Sequence, residues 1–342
     1  MRKFVSVVLA SAVLAAPVAA QQTNPDAQCP PGTADSFGIP DQQRATQDAC
    51  QKAIDLFRYM APQLGTALAG GAPTLGQGGP TGGIGHFSIG LRVNAVMGDL
   101  PQVQDVPLSV QGAQRSTYPL ERQIIPMPTA DLALGLFGGL PLGLTSIGGL
   151  DLLVSASYLP EFEADNISVE VDGSSIKFGF GARLGLLQES LLIPGVSVSY
   201  LRRDLPKIHM TARAQSDSLQ VRDLDIQTTS WRVMASKSFF MFGAAAGFGK
   251  DRYESSTVIS ARVASRLGPP PTPAVTAGPI DIEQKLSRTT MFLDLSMNLP
   301  FFKIVGEIGQ VSGGDVETYN QFDGSKADDS RTYGSIGIRF GF

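Results

Sequence analysis

The chain is poor in the residues on which most site chemistry depends. Its 342 residues contain two cysteines, two histidines and one tryptophan. That excludes a Cys/His-rich metal module, and Cys29 and Cys50 have no metal-ligand spacing around them. Charge is also sparse, and no basic excess exists: 27 Lys and Arg stand against 31 Asp and Glu. Nucleic acid is therefore not expected as a partner. Long apolar runs are few. One opens the chain, Phe4 to Ala16, behind Arg2 and Lys3 and ahead of Val18-Ala19-Ala20. This order predicts a secretory signal over residues 1–20. The other, Leu132 to Leu150, holds six glycines and Pro141, so it divides better into two strands around a turn near 140–149 than into a helix.

Alternation is abundant instead. In His86–Gly98, Phe87, Ile89, Leu91, Val93, Ala95 and Met97 share one face, while Ser88, Gly90, Arg92 and Asn94 share the other. A period of two marks an extended strand with one apolar and one polar face. The pattern recurs in 176–186, 196–200, 231–236, 242–249, 291–298, 302–308 and 333–342. Connections separate into short ones, near 139–147, 188–193, 238–239 and 299–300, and long ones, 98–128, 160–173, 214–220, 265–280 and 312–330. Short turns at one end and long loops at the other are the habit of membrane barrels. The expected fold is all-β: an antiparallel transmembrane β-barrel of about ten strands, both ends of the barrel on one side. Twelve strands result if 202–207 and 251–256 are turns. Aromatic belts are expected from Phe239, Phe240, Phe301, Phe302, Phe340 and Phe342 inside, and from Tyr158, Tyr200 and Tyr253 outside.

Ahead of the barrel (85–342) lies a segment of 21–84. Residues 41–68 carry helical spacing, with Asp41 as N-cap and Pro62 expected to kink or divide the helix. A Gly-rich run over 69–85 reads as a flexible linker. The helix is expected in the periplasm, against the barrel rim, or as a plug in the mouth, the rim being the blander reading. Cys29 and Cys50 are expected to form a disulfide in an oxidising compartment.

The ending Ile336, Ile338, Phe340, Phe342 resembles the closing strand of Gram-negative outer-membrane β-barrel proteins. That resemblance implies an outer-membrane location, outer-membrane lipid as surroundings, and Phe340 and Phe342 as the signal read by the barrel-assembly machinery. The helix and the Gly-rich run after it also show a distant similarity to the long-chain fatty-acid transporter family, for whose larger barrel this chain is short.

Charged residues on the polar faces are the candidates for lumen lining: Arg92, Lys177, Arg183, Arg232, Asp294, Lys303, Glu307 and Arg339. On this pattern, Leu91→Arg is expected to harm assembly far more than Arg92→Leu. No enzyme is expected. His209 lies near Asp217, Asp223 and Asp225 in sequence, but the order typical of omptin proteases is absent, and its pairing with Ser197 or Ser199 is what any barrel offers. The acidic loop 313–330 lacks calcium-loop spacing. No metal or other cofactor is expected. Two functions stay open: a narrow channel or transporter for small or hydrophobic solutes, and a structural or surface-interaction barrel with a closed lumen.

Overall fold

A computed structural model describes residues 24–29, 40–103, 106–159, 161–164, 167–214, 217–264 and 274–341. The signal segment 1–20, the proline run 268–273 and Phe342 lie outside these residues. Ten strands form the wall: β1 Phe87–Pro101, β2 Leu120–Phe137, β3 Gly149–Tyr158, β4 Ile176–Leu187 and β5 Gly195–Asp204; then β6 Asp217–Phe239, β7 Phe242–Val263, β8 Val275–Asn298, β9 Lys303–Ser312 and β10 Arg331–Gly341. Each pairs antiparallel with its sequence neighbour, and β1 pairs with β10, so the sheet closes on itself. Closure removes the free edges that lipid does not tolerate.

Register answers which face is inside. Leu91 and Val93 are 60% and 41% exposed, whereas Arg92 and Asn94 are 3% and 0%. The apolar face points to lipid and the polar face to the lumen. Phe178, Phe180, Phe248, Leu295 and Ile336 continue the outer apolar surface. Phe239, Phe240 and Phe301 ring the short-turn end, and Tyr158 is exposed towards the other. Tyr253 does not join the outer belt. It is fully buried, because it shares parity with the inward Asp251 and not with the outward Phe248.

The strands β6, β7 and β8 have 23, 22 and 24 residues, about twice what a bilayer requires. Their outer halves stand above the membrane, where alternation is no longer enforced. For that reason the loop expected at 98–128 is shorter: Gly98–Pro101 pairs with Leu120–Gln123, leaving 102–119 as the loop. Pro126 and Pro128 are tolerated because β2 pairs there with β1 alone, β3 joining only from Thr129. The stretch 251–256 lies within β7. At 204–208 the ladder breaks at Pro206, which has no N–H to give. It then resumes in Ile208–Ala214, which pairs with the outer end of β6 and with Ile167–Val171. The wall thus has ten strands, not twelve.

The helix α1, Pro40–Ala69, is continuous through Pro62. Proline removes the bond to the Arg58 carbonyl, and Gln284 of β8 supplies the missing donor at 3.2 Å. The helix starts one residue before the expected cap.

Candidate functional site

The helix runs inside the ring, touching β1, β2, β5, β6, β7, β8 and β10. It is neither periplasmic nor laid against the rim. Its first turns stand among the outer loops, where Asp48 accepts the Ser109 N–H (2.7 Å) and Asp55 accepts the backbone N–H of Asn320 (2.8 Å). Its last turn reaches the middle of the lumen. The chain therefore enters the barrel from the loop end, descends through it, and turns into β1 at the short-turn end. Its described N-terminal residues are clipped to the helix by the Cys29–Cys50 disulfide.

A helix C-terminus leaves carbonyls without partners and carries the negative end of the dipole. This helix has no basic residue in its own last turn. The wall supplies the donors. Asn94 Nδ2 reaches the Ala67 carbonyl at 2.5 Å, and Arg203 Nη1 reaches that of Ala69 at 3.0 Å. Arg232 Nη2 also reaches Ala69, and Arg92 Nη1 meets the Gly70 carbonyl at 2.7 Å. All four side chains are buried. The arginines are held in turn by acids of the wall: Asp131 faces Arg92 (2.5 Å) and Arg203 (3.7 Å), and Asp251 lies 4.0 Å from Arg232.

Below the helix, the Gly-rich run continues down the lumen and is fastened at each step. Glu307 accepts the Ala72 N–H at 2.7 Å and the Tyr333 hydroxyl at 2.7 Å. Arg339 Nη1 donates to the carbonyls of Thr74 and Leu75. Arg183, paired with Asp151 at 2.7 Å, donates to the Gln77 carbonyl and Thr81 hydroxyl. The reading of this run as a flexible linker is therefore corrected. Its glycines serve contact: a Cβ on Gly71, whose φ is +75°, would fall 1.9 Å from Arg92 Nη1, and one on Gly78 would fall 2.6 Å from the Ser236 nitrogen.

The outer end is capped as well. Gln321–Phe322 of the acidic loop pairs with Thr117–Tyr118 of the β1–β2 loop. Phe322 stacks on Tyr59 of the helix, ring centroids 3.9 Å apart. Arg331 pairs with Asp99 and reaches the Tyr59 hydroxyl. Burial raises the pKa of Asp55 above the bilayer, and its hydrogen bonds from Asn320, Gln51 and Tyr319 offset only part of that rise.

Of the residues singled out for lumen lining, Arg92, Arg183, Arg232, Asp294, Glu307 and Arg339 are buried on the inner face, and Lys303 is half-buried there. Lys177 differs: it is exposed at the outer end of β4, paired with Ser157 above the narrow part of the lumen. Phe340 faces outward. Sequence reasoning missed Asp131, Asp151, Asp251 and Arg203, the partners that complete the buried pairs. For Asp131 and Asp151 the signal was a lone charge between two apolar or small residues, as in Leu150-Asp151-Leu152, whereas Arg203 and Asp251 stand among other charges and carry no such signal. Asp217 and Asp225 do not join His209. Instead Asp172, His209 and Asp223 converge above the wall, and His209 Nδ1 accepts the Asp223 N–H at 3.1 Å. Ser197 is buried on the lumen face of β5.

No family model matches the chain, and no curated protein does. Several solved structures are similar in shape. The outer-membrane protease OmpT of Escherichia coli is 9% identical, over 75% of this chain and 96% of that one, with a TM-score of 0.33. The toluene transporter TodX of Pseudomonas putida is 11% identical, over 80% and 97%, with a TM-score of 0.28. Ail, the attachment invasion locus protein of Yersinia pestis, is 10% identical, over 76% and 99%, with a TM-score of 0.20. These likenesses to outer-membrane barrels are of architecture alone. The ring, its lipid-facing surface and its occupied lumen are the features that bear on function.

Proposed function

We propose that this is a non-catalytic outer-membrane barrel with a closed lumen, which holds its own N-terminal segment at the cell surface. Outer-membrane lipid surrounds it, and the barrel-assembly machinery inserts it. The observation that carries this reading is the latch at mid-lumen. Asn94, Arg92, Arg203 and Arg232 hold four consecutive backbone carbonyls, Ala67 to Gly70, inside the wall. Hydrogen bonds to charged groups contribute about 1.5–3 kcal/mol each, so such a plug is not a loose gate. With the lumen filled, the disulfide-clipped segment and the long loops are what the barrel presents outward. An epitope inserted before residue 24 tests this. It should bind antibody on intact cells. Detection only after the outer membrane is permeabilised would refute the surface placement.

A second reading, transport of small apolar solutes along the wall, has one observation in its favour. An apolar groove of about 720 Å³ runs over the lipid face past Leu91, Val93, Pro128, Ala130, Ile176 and Ile338. It lies where β2 loses its β3 partner. Uptake of a labelled aromatic hydrocarbon into proteoliposomes at a rate above that of protein-free vesicles would favour it.

A further inference from the structure

The plug leaves a blind chamber at the short-turn end of the barrel, about 560 Å³ in volume and lined mainly by polar groups. Three cations share its wall, Lys237, Lys303 and Arg339, and of these only Lys237 faces a carboxylate, Glu189, within ion-pair distance. Lys303 of β9 and Arg339 of β10 are directly opposite in the strand register. Like charges placed directly opposite destabilise a sheet. Glu189 attracts both from beyond ion-pair distance and Asp294 attracts Arg339, but no carboxylate makes a direct ion pair with either among the described residues. Lys303 has no hydrogen-bond or ion-pair partner among the described residues. Arg339 gives only Nη1 to the carbonyls of Thr74 and Leu75, and its remaining nitrogens have no protein acceptor there. The carboxylate in the chamber wall, Glu189, is committed elsewhere: it accepts the Ser238 N–H (2.6 Å) and the Ser236 hydroxyl (3.1 Å) and faces Lys237 at 3.9 Å. The other like-charged pair, Asp294 opposite Glu307, is treated differently, since Glu307 receives the Ala72 N–H and the Tyr333 O–H.

We infer that the chamber is a binding site for a small oxyanion, a phosphate or carboxylate group on a soluble periplasmic molecule, held between Lys303 and Arg339. The planar guanidinium offers a two-pronged edge to such a group and the lysine a point charge. Polar walls and a closed inner end suit a soluble ligand better than a lipid headgroup. The inference does not depend on the surface-display reading, because it needs only the plug and the chamber.

Thermal unfolding of the full chain in detergent tests it, with inorganic phosphate and succinate as probes and sodium chloride at matched ionic strength as the control. One or both probes should raise the Tm of the parent protein in proportion to ligand, as mass action requires. Lys303→Gln should weaken the apparent affinity at least tenfold, yet unfold at the parent temperature or above when no oxyanion is present. Lys303→Arg should retain binding. Arg339→Lys serves as a second variant, losing the fork but keeping the charge, and should also weaken binding. No shift with either probe overturns the inference, as does an equal shift in Lys303→Gln. Loss of basal stability in Lys303→Gln would overturn it too, showing a structural role. A shift seen only in bilayers containing phosphatidylglycerol would overturn it in favour of a headgroup.

Discussion

Arg92 and Leu91 are neighbours whose substitution separates alternation from packing. On alternation alone, Arg92→Leu places an apolar residue in a polar lumen and costs little. The structure changes that expectation. The Arg92 and Asp131 side chains are 0% and 1% exposed and 2.5 Å apart, and Arg92 also holds the Gly70 carbonyl at 2.7 Å. Removing one partner of a buried pair leaves the other charge uncompensated, at a cost of about 3–5 kcal/mol. Arg203 lies 3.7 Å from Asp131, which places the effect towards the lower end. Leu91→Arg costs about 2–4 kcal/mol for a different reason, a cation in lipid. The two should therefore be comparable, and a double substitution tells their causes apart. Arg92→Leu with Asp131→Leu should be milder than the sum of the single changes by about 1–3 kcal/mol, since both buried charges leave together. Recovery should be incomplete because Arg203 then loses its acid. Reversible urea unfolding of the barrel in lipid vesicles reads all four states. An Arg92→Leu protein within about 0.5 kcal/mol of the parent would refute the reasoning, for the lumen there would be wet and unlatched.

Gly65→Ala should destabilise by about 1–3 kcal/mol despite the better helix propensity of alanine, because the new Cβ would lie 2.8 Å from the Tyr253 ring; denaturant unfolding checks it. Replacing Cys29 and Cys50 together by serine should free the clipped segment, read as proteolysis before residue 40 in a barrel that stays folded. The raised pKa of Asp55 means that the folded cap binds its proton more tightly than the unfolded chain. Its contribution is therefore full below the unfolded value, near 3.8, and is lost as pH rises through the folded value. Hydrogen exchange at Tyr319 and Asn320, corrected for intrinsic rate, should become faster over that window, and Asp55→Asn should flatten the trend.

The wall was legible because lipid enforces strict alternation: Leu91, Phe180, Leu295 and Ile338 could face nothing else. Above the bilayer both strand faces meet water or loop, so the pairing of Gly98–Pro101 with 120–123 left no pattern to read. The lumen was half legible. Arg92, Arg183 and Arg232 stand out as long cations opposite apolar residues, whereas Asp131 and Asp151 look like isolated acids until register sets them beside their arginines. Glycine misled most. Its density over 69–85 reads as flexibility, yet Gly71 and Gly78 are small so that backbone and wall can meet. Helical spacing located α1 well, but no local pattern says that a helix lies within a ring built from residues 20 to 270 positions later.

Ion conductance across a planar bilayer holding the full-length protein tests the closed lumen most directly. The latch and the fastened Gly-rich run predict a membrane that stays at the baseline of protein-free bilayers, with steps appearing only when Arg92, Arg203 and Arg232 are replaced together. Steady stepwise conductance from the unaltered protein would contradict the account.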